Sequence, residues 1–348
     1  MKASFVSSSA MQSTLRLTIS QSQTKLLQAS TEAATGVYSD IGVSLGSGAA
    51  KSVNLTNAIS LTDALTASNS IVGLRMDASQ TALSSLKDAG DTLVSNLTAL
   101  QAGQDSTSVA VALQAANDTL SQLISTANTS VNGEFLFGGT NLDNQPLSDQ
   151  SSAASDAIVT ALGDYATSLG KDVNELTGEE IGTFITDTVE PMFSESAWTD
   201  TSSGWSTASS TDMTSRISGS ETITSSTNAN SEGMRYLALA SVVVSALFGQ
   251  DLSSDAQSTV ASKAIAYAAQ ATSGIVTQQS QLGLSQERLE KANDALDAQS
   301  SLLQGKLVDL QGVDTYEAST LVNQLQTQLE TAYTLVSKLQ SLSLVNYL

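Results

Sequence analysis

The sequence predicts a mainly α-helical protein: a long antiparallel helical bundle or coiled coil formed by its N- and C-terminal segments, with a short β-hairpin and a small inserted outer domain of α+β or mixed character. Three observations predict it. Apolar residues recur at alternating three- and four-residue spacing over long stretches of the 348-residue chain, which is the pattern of a coiled-coil seam. Only 4% of the residues are aromatic, so packing falls to Leu, Val, Ile and Ala in thin helical layers. Both prolines (Pro146, Pro191) and both tryptophans (Trp198, Trp205) fall in one Ser/Thr-rich central segment, which reads as the insert.

The first helix is bracketed by its own signals. Ser7 to Ser9 offer N-caps and Gly36 a C-cap; its apolar face is Leu15, Ile19, Leu26, Ala29 and Ala33, with polar Ser22 in the seam. A loop is expected over residues 36–52, where glycines at 36, 42, 46 and 48 break the periodicity. Residues 53–100 read as a second helix whose later half carries the seam Val72, Met76, Ser79, Leu83, Leu86, Gly90, Leu93, Leu97, Leu100. Gly103 ends it, and a third helix repeats the spacing with Val109, Leu113, Ala116, Leu120, Leu123 and Ala127. A short connection between two such helices makes an αα-hairpin.

The stretch VNGEFLFGGTNLDNQP, residues 131–146, interrupts this pattern with Phe135 and Phe137 beside Gly133, Gly138 and Gly139. Residues 134–137 predict a short strand with both Phe on one face, and Gly138-Gly139 a tight hairpin turn at positive φ. Within the segment 143–227, residues 156–169 and 178–189 read as short helices and 216–225 as a strand or hairpin.

Helical pattern resumes near Asn230. Residues 234–248 are the most apolar run, but fall short of the roughly 20 residues that span a bilayer and read as a buried helix. A ladder of Leu282, Leu289, Leu296, Leu303 and Leu310 follows. Its second seam position is polar (Gln286, Asn293, Ser300), unlike a two-stranded zipper, which predicts a multi-helix neighbourhood. Gly312 followed by Asp314 and Glu317 reads as a C-cap and then a capping box. The last helix carries Ala318, Val322, Leu325, Leu329, Ala332, Val336 and Leu339.

Charge and composition exclude several functions. Fourteen Lys and Arg against 34 Asp and Glu give a net charge of -20, the wrong sign for binding phosphates or anionic headgroups, so neither nucleic acid nor membrane insertion is expected. Without Cys or His, disulfides, thiolate chemistry, the usual zinc sites and imidazole-based triads are unavailable. The N-terminal MKASFVSSSAMQSTLRLT lacks the unbroken apolar segment of a cleaved signal peptide.

No constellation reads as catalytic, and neither a metal nor a cofactor site is expected. GSGAAKS, residues 46–52, has Leu45 and Ala50 where a phosphate-binding loop requires glycines, so it is a loop with a capping Ser. Glu179 and Glu180, near Asp172 and Glu175, are adjacent and do not face one another on a helix, which leaves them as a solvated face. Asp40, Asp143 and Asp149 lack the spacing of a calcium loop.

Four segments in order resemble the flagellin superfamily, and within it the hook-associated junction proteins. They are NGEFLFGGTN at 132–141 (Gly133, Phe135, Phe137, Gly138, Gly139), QLGLSQERLEKANDAL at 281–296 (Gly283, Gln286, Arg288, Leu289, Asn293), GVDTYEASTLVNQLQTQLETAYTL at 312–335 (Asp314) and LSLVNYL at 342–348. The Asn- and Arg-rich signatures of bulk filament subunits near 35–60 are missing. The resemblance implies a non-enzymatic structural component of the bacterial flagellum, located extracellularly and exported unfolded through the flagellar type III apparatus with an export chaperone. It implies a homo-oligomeric ring between the first hook-associated protein and flagellin; a minor flagellin is the nearest alternative, and a secreted adhesin or enzyme acting through 143–227 a distant one. The implied layout is a terminal coiled-coil stalk (1–45 with 310–348), a helical middle domain (46–142 with 228–309, hairpin at 131–142) and an inserted surface domain (143–227).

A stalk two helices thick has few neighbours to cover its apolar stripes. Leu15, Ile19, Leu26, Leu325, Leu329, Val336 and Leu339 are therefore the expected assembly interface.

Overall fold

The computed structural model describes residues 8–103 and 106–345, with the side chains of residues 8, 9, 102 and 339–345 outside the description. In chain order its helices and strands are α1 (Ser8–Thr35), α2 (Ile41–Leu45), α3 (Ala49–Ala102), α4 (Ser106–Ala127), β1 (Ser130–Val131), β2 (Glu134–Phe135) and α5 (Ser151–Ser168). There follow α6 (Gly178–Phe184), α7 (Glu195–Trp198), β3 (Thr214–Arg216), β4 (Thr222–Thr224), α8 (Glu232–Leu247), α9 (Ser254–Gln311) and α10 (Thr315–Val345). The predicted class holds: long helices dominate, with two small antiparallel hairpins. The chain divides into two compact units, residues 1–64 with 295–348 and residues 65–294, and α3 and α9 contribute to both.

In the unit formed by the two ends, α1 and α10 pack against each other in antiparallel fashion. Their pairing is fixed where both helices meet the rest of the unit. Gly36 turns the chain out of α1 at φ +70, and the segment after it lies antiparallel to the α9–α10 junction at the Val37–Gly312 bridge. Tyr38 N donates to Gln311 O at 3.0 Å and Val313 N to Gly36 O at 2.9 Å. Glu32 accepts from Ser39 N and Oγ (3.0 and 3.1 Å), while the Asp314 carboxylate caps α10 by accepting from Tyr316 N (2.8 Å) and Glu317 N (3.3 Å). The expected loop over 36–52 is shorter than its glycines suggested. Asp40 caps α2 by accepting from Val43 N, a 3-10 turn follows over Gly46–Gly48, and α3 begins at Ala49. Glycine lowers helix propensity by about 1 kcal/mol, which local capping offsets here.

In the second unit one apolar core runs through α3, α4, α8 and α9 and takes in the side chains of the 143–227 segment. The α3 seam is buried as expected from Met76 to Leu100, and Gln122 Nε2 reaches Ser85 Oγ (2.7 Å) across the predicted αα-hairpin. Helix α8 is buried nearly all round, as a helix apolar on most of its faces must be. Its Gly233 lies so close to Gly274 of α9 that a Cβ on either would strike the other's backbone. The short helices expected in the central segment are α5 and α6, the latter running on into one π-helical turn at Ile185–Val189, and the expected hairpin is β3–β4. Trp198 and Trp205 stack with centroids 5.4 Å apart, Phe193 leans on both, and Trp198 Nε1 donates to Ala229 O at 3.1 Å.

The first hairpin is corrected in its turn. It is Asn132-Gly133, at φ 55 and 86, that reverses the chain between β1 and β2, the pair of positive φ angles that a two-residue primed turn needs. Gly138 and Gly139 lie beyond the strand pair. Gly139 is at φ +63, and a Cβ there would collide with the Ser209 carbonyl; one on Gly138 would collide with the Asn141 carbonyl. These two glycines let the chain pass close to other backbone: Thr140 N donates to Thr211 O and Ser209 N to Gly138 O, both at 3.0 Å. Nor do Phe135 and Phe137 alternate with a solvent-facing residue, since Leu136 and Phe137 are both fully buried while Phe135 is half-buried.

Candidate assembly interface

The terminal helix pair is the first part of the site. Leu325 and Leu329 are buried, and Leu15, Ile19, Leu26 and Val336 are half-buried. They line the seam between α1 and α10 of the same chain, with Ala29 and Ala318 closing it. Leu339 and the closing segment 342–348 lie outside the described side chains. A second set of apolar residues lies outside the covered seam, Leu17 and Leu27 on the outer face of α1 and Leu321 and Leu335 on the flank of the seam along α10: Leu17 is 60% exposed, Leu27 70%, Leu321 44% and Leu335 50%. On α1, Leu17 and Leu27 lie about 100° or more around the helix from Leu26. Single exposed leucines are ordinary; several along one two-helix element are not.

The second part is the hairpin, held to α3 by Arg75. Its guanidinium donates to Glu134 Oε2 at 2.5 Å and to Phe135 O at 2.7 Å, and its side chain is nearly covered. A buried guanidinium needs both an anion and neutral acceptors, and the two residues of β2 supply one each. Sequence reading did not find this clamp. Its one signal is that Arg75 is a lone cation between Lys51 and Lys87.

The polar positions of the Leu ladder pair with polar positions of α3. Asn69 Nδ2 donates to Asn293 Oδ1 at 2.7 Å and to Ile217 O at 2.9 Å, Gln286 Nε2 to Asp77 Oδ1 at 2.6 Å, and Gln80 Nε2 to Gln279 O at 2.8 Å. At the far end of the same two helices, within the other unit, Gln311 Nε2 bonds Ser52 Oγ. Arg288 reaches Glu221 Oε1 in the β3–β4 hairpin at 2.9 Å, and Gly283 lies beside Gln80. In place of the expected multi-helix neighbourhood, these polar positions form the hydrogen-bonded seam of an antiparallel α3–α9 pair, with the β3–β4 hairpin against it.

The residues weighed for chemistry have structural roles. Thr177 and Glu180 form a capping box on α6, and Glu180 also receives Lys171 Nζ at 2.6 Å. That hydrogen bond, helped by the Thr177 amide, holds its carboxyl below the ordinary range. Asp172 and Glu175 form another capping box. Ser52, at the end of GSGAAKS, is bonded to Gln311. Among the described residues no group of acids could hold a metal ion, and no helix is long and apolar enough to cross a membrane.

Such a fold, with paired terminal helices and a seam of side-chain hydrogen bonds, defines a long-helix, mainly α protein. Residues 6–142 match the bacterial flagellin N-terminal helical region and residues 265–348 the bacterial flagellin C-terminal helical region. A solved structure from Vibrio parahaemolyticus, provisionally named a flagellar hook-associated protein, shares the fold with a TM-score of 0.53 and 11% identity over 76% of this chain and 97% of that one. Comparison with curated protein sequences gave no match. The chain belongs to the flagellin family, whose members are structural proteins of the extracellular flagellum.

Proposed function

We propose that this chain is a hook-filament junction protein, a non-enzymatic adaptor that forms a homo-oligomeric ring between the first hook-associated protein and the flagellin filament. The observation that carries the reading is the second apolar stripe on α1 and α10, Leu17, Leu27, Leu321 and Leu335, left exposed although the two helices already cover each other's seam. Neighbouring subunits would cover that stripe and the half-buried edge formed by Leu15, Ile19, Leu26 and Val336. Assembly would then add burial worth about 25 cal/mol per Å² of apolar surface. The likeness to the Vibrio hook-associated structure, and the missing Asn- and Arg-rich segment at 35–60, support a junction protein over a filament subunit. On this reading residues 1–45 with 310–348 form the stalk, 46–142 with 228–309 the middle layer, and 143–227 face outward. Export is through the flagellar type III apparatus, with a chaperone on the C-terminal helix. The missing cysteines and the presence of only two prolines suit an unfolded chain, because no disulfide and few slow isomerisations then delay it.

Deletion tests the proposal. Cells lacking a junction protein should keep bare hooks and shed filament subunits into the medium. Filaments left standing would assign the chain to the minor flagellins instead. In sheared flagella the junction protein should be found in trace amount at the proximal end.

A further inference from the structure

Beside the π-helical turn, a cavity of about 540 Å³ opens between Glu190, Pro191, Phe193 and Glu195 on one side and Arg235, Tyr236 and Leu239 of α8 on the other. Small-molecule sites commonly have about 300–1,000 Å³, and π turns often mark such sites. The charges lining it are the unusual feature. Glu190 is half-buried, and its two oxygens accept from Tyr236 Oη (2.9 Å) and Tyr267 Oη (2.8 Å). Both donors are neutral hydroxyls, and burial next to that carboxylate raises both phenols. Arg235 is also half-buried, and it donates from Nε to Asn230 O (3.1 Å) and from Nη1 to Phe193 O (2.9 Å), both neutral carbonyls. Among the described residues neither group has an oppositely charged partner within ion-pair distance, although they line one cavity.

Half-buried charges of opposite sign would gain by pairing; here each is fixed to its own wall by neutral groups and kept apart. A ligand carrying both charges could satisfy both at once, and a sugar could neutralise neither. The rest of the lining, Pro191, Phe193 and Leu239, is apolar. We propose that this cavity binds a free amino acid with an apolar side chain: the carboxylate on Arg235, the ammonium on Glu190 with Glu195 at the rim, and the side chain against Phe193 and Leu239. This site does not depend on the junction reading and would stand if deletion assigned the chain to the filament.

Calorimetric titration of the full chain with L-leucine, L-methionine, glycine, L-glutamate and glucose tests it. Leucine or methionine should bind with a Kd in the range of roughly 1 µM to 1 mM, ahead of glycine and glutamate, with no heat from glucose. Glu190→Gln and Arg235→Gln each remove one of the two charges, so each should weaken binding by about tenfold or more. Because Arg235 also ties two backbone carbonyls, Glu195→Gln on the rim, which gives up no backbone tie, serves as the milder variant and should weaken binding about threefold. No binding of leucine or methionine at about 10 mM, binding of glucose alone, or leucine binding unaffected by both Glu190→Gln and Glu195→Gln would overturn the site.

Discussion

At the residue scale, Arg75 and Gly139 decide how the first hairpin sits. Removing a nearly buried guanidinium leaves the Phe135 carbonyl without its donor and empties a polar site against α3, whereas the half-exposed Glu134 carboxylate can turn to water. Arg75→Met should therefore cost about 2–3 kcal/mol in urea unfolding. Glu134→Gln takes the anion from the nearly buried guanidinium but keeps an acceptor oxygen, so it should cost less than Arg75→Met, about 1–2 kcal/mol. The glycines offer a sharper comparison. Gly133 and Gly139 both have positive φ, but a Cβ on Gly133 meets open space while one on Gly139 meets the Ser209 and Thr211 carbonyls. Gly133→Ala should cost about 1 kcal/mol, and Gly139→Ala clearly more. Equal losses would mean that the Gly139 crossing yields easily.

Asp200 gives the residue-scale pH dependence. Its carboxylate accepts from the hydroxyls and amides of Ser202 and Ser203 (2.7–3.1 Å), which hold its pKa at about 2 against an ordinary 3.8. A depressed folded pKa means that its contribution is complete above the unfolded value, near pH 4, and is lost as pH falls through about 2. Carbon NMR of the Asp200 carboxyl should show that midpoint; an ordinary midpoint would show the turn is not held by these bonds.

At the element scale the α3–α9 pair is set by its polar seam. Asn69 is fully buried, and its amide holds both Asn293 and the Ile217 carbonyl. A buried amide in an apolar seam fixes register at some cost in stability. Asn69→Leu should lower stability by about 1–3 kcal/mol, because Ile217 O and Asn293 lose their donor. Were it neutral or stabilising in urea, the seam would not depend on this pair.

Elements were legible in the sequence where their cause is local. The Gly36 end of α1, the bounds of α4 and the start of α10 follow from capping residues and seam spacing within a few positions, and α8 from the most apolar run of the chain, while the cap expected at Ser7–Ser9 lies outside the described side chains. What stayed hidden depends on distant partners. Arg75 meets a strand about sixty residues on, Asn69 a helix more than two hundred residues on, and neither bond leaves a mark on its own helix. The hairpin turn was misplaced because Gly138-Gly139 and Asn132-Gly133 are both good turn sequences. What separates them is the backbone around Ser209 and Thr211, which only the folded chain brings near. Of the residues expected at the assembly interface, Leu15, Ile19, Leu26, Leu325, Leu329 and Val336 lie in the seam that the chain covers for itself, and Leu339 lies outside the described side chains; period alone does not say which side of a helix its own chain covers.

At the scale of the whole molecule that distinction becomes a test. Leu325 and Leu329 are buried within the chain, whereas Leu17 and Leu27 are exposed. Leu325→Glu should thus weaken the α1–α10 pair itself, visible as lost helical circular dichroism. Leu17→Glu with Leu27→Glu should leave the helix content of the isolated chain unchanged while abolishing its incorporation into flagella, scored by electron microscopy of complemented deletion cells. If the double variant assembled normally, the outward stripe would not be the contact surface.

The central claim is that the terminal pair gains its full cover only from other subunits, and amide hydrogen exchange of the isolated chain tests it most directly. Helices with one covered face open far more readily than a packed core. Residues 10–35 and 315–338 should exchange orders of magnitude faster than the buried stretches of α3, α8 and α9 between residues 76 and 292. Protection of the terminal helices equal to that core would show that they are already sealed in the single chain, and would contradict the account.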